Sequence, residues 1–147
     1  MATFYSDSRA NDVAVPAVPN KPYNQIGRVR RAYWTYTTPS SGMPTVGDYI
    51  ELVTVPVGAV IMQIVTAAEA MSTGGGTAGF DIGYSGADTR YGMAIDVDAA
   101  GQDITGHTIA LNHGDVLTQD QVIRARVTGE QWAASKKFYG YVEYLKD

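Results

Sequence analysis

Residues 121–129 read QVIRARVTG, and this stretch decides the fold class. Apolar and polar side chains alternate along it: the apolar set is Ile123, Ala125 and Val127, and the polar set is Arg124, Arg126 and Thr128. A period of two residues puts one set on a buried face and the other in water, as in a β-strand. The stretch therefore predicts a strand in a sheet that is covered on one side.

Further strand-like stretches follow residue 27, separated by turn residues. They are RVRRAYWTYTT (28–38), DYIELVTV (48–55), AVIMQIVTA (59–67), GFDIGYS (79–85), TIAL (108–111) and KFYGYVEYL (137–145). Pro56-Val57-Gly58 fits a type I turn, and TAAEAMS (66–72) is compatible with one helical turn. No stretch keeps apolar residues at helical spacing over three turns. Six to eight short strands predict an all-β sandwich or barrel.

Residues 1–27 differ from the rest of the chain. Pro16, Pro19 and Pro22 fix the backbone and extend the residues before them, which predicts an irregular, extended N-terminal arm. The arm is richer in apolar side chains than a disordered tail; its candidate partner-binding residues are Phe4, Tyr5, Val15, Val18 and Tyr23. We expect it to become ordered on a neighbouring protein, the alternative being an arm folded back on its own domain. The predicted division is an arm at 1–27 and a β-sandwich domain at 28–147.

Composition narrows the class of protein. The chain has 147 residues, the size of one domain, and its 45% hydrophobic content is enough for a core. It contains no cysteine, which excludes disulfides and cysteine-ligated zinc. No apolar stretch reaches the ~20 residues of a membrane helix, and the amino terminus does not follow the plan of a secretory signal. We therefore expect no membrane as partner, and the net charge of −4 argues against nucleic acid.

Charge is unevenly distributed along the chain. Residues 38–123 carry ten acidic side chains and one basic one, whereas Arg28, Arg30 and Arg31 form a basic cluster at the start of the first strand. Such separation suits docking on a charged partner surface. The alternatives are a solvated face or arginines that cap the end of a strand.

A glycine motif between residues 72 and 92 raises the question of nucleotide binding. Gly74, Gly76 and Gly79 match G-x-G-x-x-G, which binds a pyrophosphate when a helix follows the last glycine. Here FDIGYSG (80–86) follows and alternates like a strand. We interpret the glycines as a flexible loop between strands and expect no nucleotide cofactor.

A second motif approximates the nucleophile elbow of serine hydrolases. Ser85 lies in GYSGA, but the elbow needs a turn into a helix together with a histidine base. The following DTRYGMAID (88–96) is not helical. We therefore predict no catalytic residues and no enzyme.

Metal ligands are sparse. Asp96 and Asp98 begin a stretch resembling a calcium loop, but Ala100 takes the third ligand position and His107 stands where the closing glutamate belongs. His107 and His113 lack a third zinc ligand. No metal site is predicted, and a loose calcium site at Asp96 and Asp98 stays open.

Aromatic residues cluster near both ends of the domain. AYWTY (32–36) and FYGYVEY (138–144) place aromatic rings on both faces of their strands. One face is expected to fill the core. The other is expected to cover a second sheet, a partner subunit or a ligand such as a sugar ring.

Three stretches, in the same order along the chain, carry a resemblance to a known family. VGDYIELVTVPVGAVIMQI (46–64) resembles the pattern GD-x-I-x-L-x-x-(V/I)-P-x-GA-x-(V/I) of small structural proteins of tailed bacteriophages. FDIGYSGADTRYG (80–92) is similar to their x-x-L-G-x-S-x-x-x-D-R-Y, with Ile82 in place of leucine. VTGEQWAASKKFYGYVEYL (127–145) looks like their final hairpin. The chain thus resembles the capsid decoration, or cement, proteins of these phages.

The resemblance implies a jelly-roll-like β-sandwich and a role in the virion. A protein of this kind is made in the host cytoplasm and binds the capsid exterior as a homo-oligomer, a dimer or a trimer. Its partner is the major capsid protein, whose subunits it bridges, and it carries neither catalytic residues nor cofactors. The alternative is a receptor- or glycan-binding module of a virion or cell surface, with Trp34, Trp132 or loop tyrosines as its platform.

Overall fold

The computed structural model describes residues 28–99, the backbone of residues 103–108, and residues 116–146. The predicted N-terminal arm lies outside this range, together with its candidate partner-binding residues Phe4, Tyr5, Val15, Val18 and Tyr23. His113 lies outside it as well. No helix long and apolar enough to cross a membrane occurs in the part of the chain that the structure describes.

Eight β-strands make up the described chain. They are β1 (Arg28–Thr37), β2 (Tyr49–Val55), β3 (Val60–Ala68), β4 (Gly79–Tyr84), β5 (Ala87–Asp96), β6 (Asp103–Thr108), β7 (Gln121–Thr128) and β8 (Lys137–Lys146).

The strands form two four-stranded antiparallel sheets. Sheet I has the order β1-β8-β3-β6, and sheet II has the order β2-β7-β4-β5. The first strand pairs with the last, the second with the seventh, the third with the sixth and the fourth with the fifth. This is the pairing of one long hairpin whose successive strand pairs lie alternately in the two sheets, which defines a jelly roll. The predicted all-β, jelly-roll-like sandwich is confirmed.

The core lies between the sheets and is built on aromatic rings. Phe80 of sheet II and Phe138 of sheet I have ring centroids 5.0 Å apart, and Trp132 lies 5.4 Å from Phe138. Trp132 is fully buried, and its Nε1 donates a hydrogen bond to the Gly79 carbonyl at 3.2 Å. Burying three aromatic side chains from both sheets and a loop provides much of the apolar contact that holds the sandwich closed.

Strand β7 confirms the alternation that decided the fold class. Ile123, Ala125 and Val127 have no exposed surface, whereas the side chains between them are partly exposed on the outer face of sheet II.

Strand β5 was not predicted, because its pairing with β4 is irregular. The register shifts twice, between Phe80 and Ile82 and between Ile82 and Tyr84. Ala94 lies in the first of these bulges with φ = 51°. Each bulge adds unpaired residues to one strand, so a strict period of two residues is lost in its sequence.

Two local predictions are wrong, and a third lies mostly outside the described residues. That third one is the predicted strand TIAL: it begins at Thr108, the last residue of β6, and residues 109–111 are not described. TAAEAMS forms no helical turn: Ala67 and Ala68 continue β3 opposite β8, so strand pairing overrides the helix preference of alanine. The turn at residues 56–59 is type II, because Gly58, at its third position, has φ = 81°.

Candidate interaction surface

The glycine loop encloses an anion, and that anion is the chain's own Glu130. The Glu130 carboxylate accepts hydrogen bonds from the Ser72 hydroxyl at 2.6 Å and from the backbone and side chain of Thr73. The Ser72 Oγ in turn accepts hydrogen bonds from the Gly74 and Gly76 amides. The hydrogen bond from Ser72, the largest effect, lowers the pKa of Glu130. The glycine amides therefore hold the Ser72 hydroxyl that donates to the carboxylate, and β4 follows the motif where a dinucleotide site needs a helix.

The second motif lies in a hairpin turn. Ser85 and Gly86 join β4 to β5, with Tyr84 paired to Ala87 across the turn. Ser85 is exposed between two antiparallel strands, so it lacks the strand-to-helix geometry of a nucleophile elbow.

The two aspartates of the calcium-like stretch bind backbone amides. Asp98 Oδ1 accepts a hydrogen bond from the Ala78 amide, and Asp96 Oδ1 accepts one from the Asp98 amide at 2.8 Å. Across residues 28–99 and 116–146, no group of three potential metal-binding side chains comes together.

On the outer face of sheet II, an aspartate links three strands through an arginine and a tyrosine. Arg124 Nη2 of β7 donates a hydrogen bond to Asp88 Oδ1 of β5 at 2.6 Å, and the Tyr49 hydroxyl of β2 donates to Asp88 Oδ2 at 2.9 Å. The Arg124 guanidinium also lies 3.9 Å from the centroid of the Tyr49 ring. The pKa of Asp88 is lowered, mainly by the hydrogen bonds from Arg124. No sequence pattern indicates this cluster, because it joins three strands that are distant along the chain.

Sheet I has an outer face rich in tyrosine. Tyr33 of β1 and Tyr139 and Tyr141 of β8 alternate with buried residues, so their rings point away from the core. Tyr33 is 67% exposed and Tyr139 is 44% exposed. Tyr33 and Tyr141 are directly opposite, with ring centroids 5.5 Å apart. We call these three residues the tyrosine face; it is the second aromatic face that the sequence predicts.

The basic cluster divides into bound and free arginines. Arg31 is fixed on the edge of the tyrosine face: its Nε donates a hydrogen bond to Glu143 at 2.8 Å, and its guanidinium lies 4.9 Å from the Tyr141 ring centroid. Arg28 and Arg30 are exposed and have no ion-pair partner among the described residues. Two of the three arginines are thus available to a partner.

A groove lies at the other end of β1, between β1 and β2. Its volume is about 420 Å³, and its lining includes Tyr36, Asp48 and Glu51. Two hydrogen bonds from Thr45 lower the pKa of Asp48. Glu51 is exposed and has no hydrogen bond or ion pair among the described residues. We call this site the acidic groove; sequence spacing could not reveal it, because it joins the end of one strand to the start of another.

Both tryptophans belong to the core. Trp34 is 7% exposed and Trp132 is fully buried. The expectation that either forms a platform for a glycan is therefore wrong; among the exposed aromatic residues of the described range, Tyr33, Tyr49 and Tyr139 stand out.

Comparison with known proteins gives matches only at the level of structure. No protein-family model and no curated protein matches the sequence. The structure is similar to a chain in the capsid of Ralstonia phage GP4, with a TM-score of 0.69 and 22% identity, covering 88% of this chain and 89% of that one. It is also similar to a chain in the capsid asymmetric unit of cyanophage Pam1, with a TM-score of 0.61 and 18% identity, covering 89% and 92%. At these identities the similarity establishes a shared fold.

Proposed function

We propose that this protein is a structural component of a bacteriophage virion: a decoration protein that binds the outside of the head. The observation that carries the proposal is the fold shared along nearly the whole chain with chains of two phage capsids. The three sequence stretches that resemble phage decoration proteins support it independently. In this role the protein bridges major capsid subunits and stabilises the shell, and it needs no catalytic residue or cofactor.

The tyrosine face is the surface that we assign to the capsid. The outer face of sheet II is held by its own Asp88–Arg124 ion pair, whereas Tyr33 and Tyr139 leave large ring areas exposed. Tyrosine is enriched in protein interfaces because it offers apolar area together with a hydroxyl that remains hydrogen-bonded. An exposed sheet face of this kind suits a broad protein surface better than a small ligand.

The arm at residues 1–27 and the free arginines extend the contact. Phe4, Tyr5, Val15, Val18 and Tyr23 are the arm residues proposed to contact a neighbouring subunit. Arg28 and Arg30 are available for acidic groups on the shell. Several weak contacts made by one molecule, or by a dimer or trimer, add to strong retention because each raises the effective concentration of the next.

Co-sedimentation with shells that lack the protein tests this role. Tyr139→Ser removes an exposed ring from the tyrosine face, and we expect it to reduce the bound fraction strongly. Met93→Ser is the matched control, because Met93 is 71% exposed on β5 of sheet II. Wild-type protein that does not sediment with shells would refute the function. Equal binding by both variants would refute the assignment of the surface.

The glycan-binding alternative loses its best candidates. Trp34 and Trp132 are buried, so within the described range the candidates for a sugar platform are the exposed tyrosines. Binding of the wild-type protein to a glycan array, without binding to shells, would favour the glycan-binding hypothesis over the capsid hypothesis.

A further inference from the structure

Strand β1 is a long, regular edge strand. Among the described strands, it lies at the end of sheet I, and it pairs with β8 over ten consecutive residues without a bulge. The Thr38 amide donates to the Lys136 carbonyl, so the residues with even numbers direct their backbone groups towards β8. The amides and carbonyls of the odd-numbered residues from Val29 to Thr37 therefore point to the open edge. Such an edge is a template for another strand.

The two ends of this edge carry opposite charge. Arg28 and Arg30 lie at its start, and the acidic groove with Asp48 and Glu51 lies beside its end. Arg30 and Tyr36 are six residues apart in an extended strand, which is about 20 Å. This separation exceeds both the reach of a side chain and the Debye length of about 8 Å. The basic end and the acidic groove of one molecule therefore cannot neutralise each other.

We propose that two copies of this chain pair their β1 strands antiparallel about a two-fold axis at Tyr33. Tyr33 then lies opposite its equivalent, Arg31 opposite Thr35 and Val29 opposite Thr37, so every pair joins residues whose backbone groups face the open edge. Sheet I continues from one copy into the other. The inference specifies the surface and register by which a homo-oligomer of the proposed role would form, and its test does not require shells.

The charges fit this register. Arg30 of each copy lies opposite Tyr36 of the other, which lines the acidic groove beside Asp48 and Glu51. Because the axis is two-fold, the contact forms twice in each dimer. A register centred on Arg31 would instead place two arginines opposite each other, and like charges directly opposite are unfavourable. The register at Tyr33 also pairs the whole strand from Val29 to Thr37.

Charge exchange in the full-length chain tests the contact. By sedimentation velocity over a dilution series, we expect Arg30→Glu and Glu51→Lys each to raise the dimer dissociation constant at least about tenfold. The double variant Arg30→Glu/Glu51→Lys restores opposite charges and is expected to recover dimerisation. Asp96→Lys is the matched control, because it makes the same charge change on β5, an edge strand of the other sheet. A monomeric wild-type protein, or a double variant weaker than both single variants, would overturn the proposal.

Cysteine cross-linking tests the register. The natural chain has no cysteine, so Tyr33→Cys introduces a single thiol. The two copies of residue 33 would be about 5.5 Å apart between Cα atoms, within the range of a disulfide. We expect oxidation to link Tyr33→Cys into a covalent dimer, whereas Thr35→Cys links only when mixed with Arg31→Cys.

Two results would contradict the edge pairing. Equal self-linking of Tyr33→Cys and Thr35→Cys would show random collision. Loss of the Tyr33→Cys link on deletion of residues 1–25 would show that the arm makes the contact instead. Shell binding is measured separately, so a monomer that still binds shells refutes the dimer alone.

Discussion

Gly140 of β8 lies in close contact with the backbone of β3 and with the Trp34 ring of β1. A Cβ atom at this position would overlap the Val65 carbonyl oxygen and lie 2.7 Å from the Trp34 ring. The Trp34 side chain packs into the space that the glycine leaves on the inner face of β8. Only a residue without a side chain permits this approach.

Gly140→Ala is therefore expected to destabilise the protein by about 1–3 kcal/mol, the usual range for overpacking a core. The measurement is the free energy of unfolding in urea. Gly76→Ala is the control: a Cβ there meets nothing within 4 Å, and its φ of 70° should limit the loss to about 1 kcal/mol. Equal losses of unfolding free energy in the two variants would show that crowding of the Trp34 ring does not contribute to the effect.

Glu130 gives a pH prediction at the same scale. Its hydrogen bonds, first of all from Ser72, lower the pKa in the folded state. A depressed carboxyl pKa contributes stability that is full above the unfolded value near 4.5 and is lost as pH falls through the folded value. We expect Glu130→Gln to lower stability at neutral pH and to flatten the decline of stability below pH 4.5 relative to wild type.

The check is a series of denaturation curves from neutral to acidic pH. Asp96→Asn serves as the comparison, since it leaves the glycine loop intact. A wild-type profile identical to that of Glu130→Gln would mean that the carboxylate does not hold the loop.

Among the elements, β5 is linked to two other strands by one side chain. Its first residues bulge away from regular pairing, and Asp88 ties them to β7 through Arg124 and to β2 through Tyr49. Asp88→Asn removes the charge that attracts Arg124. We expect faster hydrogen exchange at residues 87–92, with little change in the exchange of β7.

Arg124→Met should have the same effect on residues 87–92, because it removes the other partner of the ion pair. Unchanged exchange in both variants would show that backbone pairing alone holds β5.

The contrast between β7 and β5 explains what the sequence could predict. In β7, each side chain follows the period of two residues, so burial could be inferred from Ile123, Ala125 and Val127 alone. In β5, bulges interrupt the period, and the strand is recognisable only once β4 is placed beside it. The sites that were considered divide in the same way: the second aromatic face was predictable, whereas the Ser72–Glu130 contact of the glycine loop joins residues 58 positions apart.

At the scale of the whole molecule, truncation tests the predicted division between an arm at residues 1–27 and a domain at 28–147. Among the described residues, the buried core runs from Trp34 to Val142 and joins the two sheets. We expect the contacts of this core to suffice for folding, so deleting residues 1–25 should leave a β-rich protein with a nearly unchanged Tm, while retention on shells falls sharply.

Circular dichroism and co-sedimentation with shells measure the two effects on the same preparation. Unfolding of the truncated chain would place the arm in the core of its own domain. Undiminished retention would show that the arm makes no contact with the shell.

The pairing of first and last strands also bears on how the chain folds. Arg28 lies opposite Lys146, and β8 separates β1 from β3. During synthesis, β1 and β3 leave the ribosome long before the strand that joins them exists. Sheet I can close only after β8 has left the ribosome, and with such distant pairings folding is expected to take milliseconds to seconds. Until β8 has emerged, the apolar side of β3 is exposed to other unfinished chains. A high rate of expression would therefore favour aggregation over correct folding.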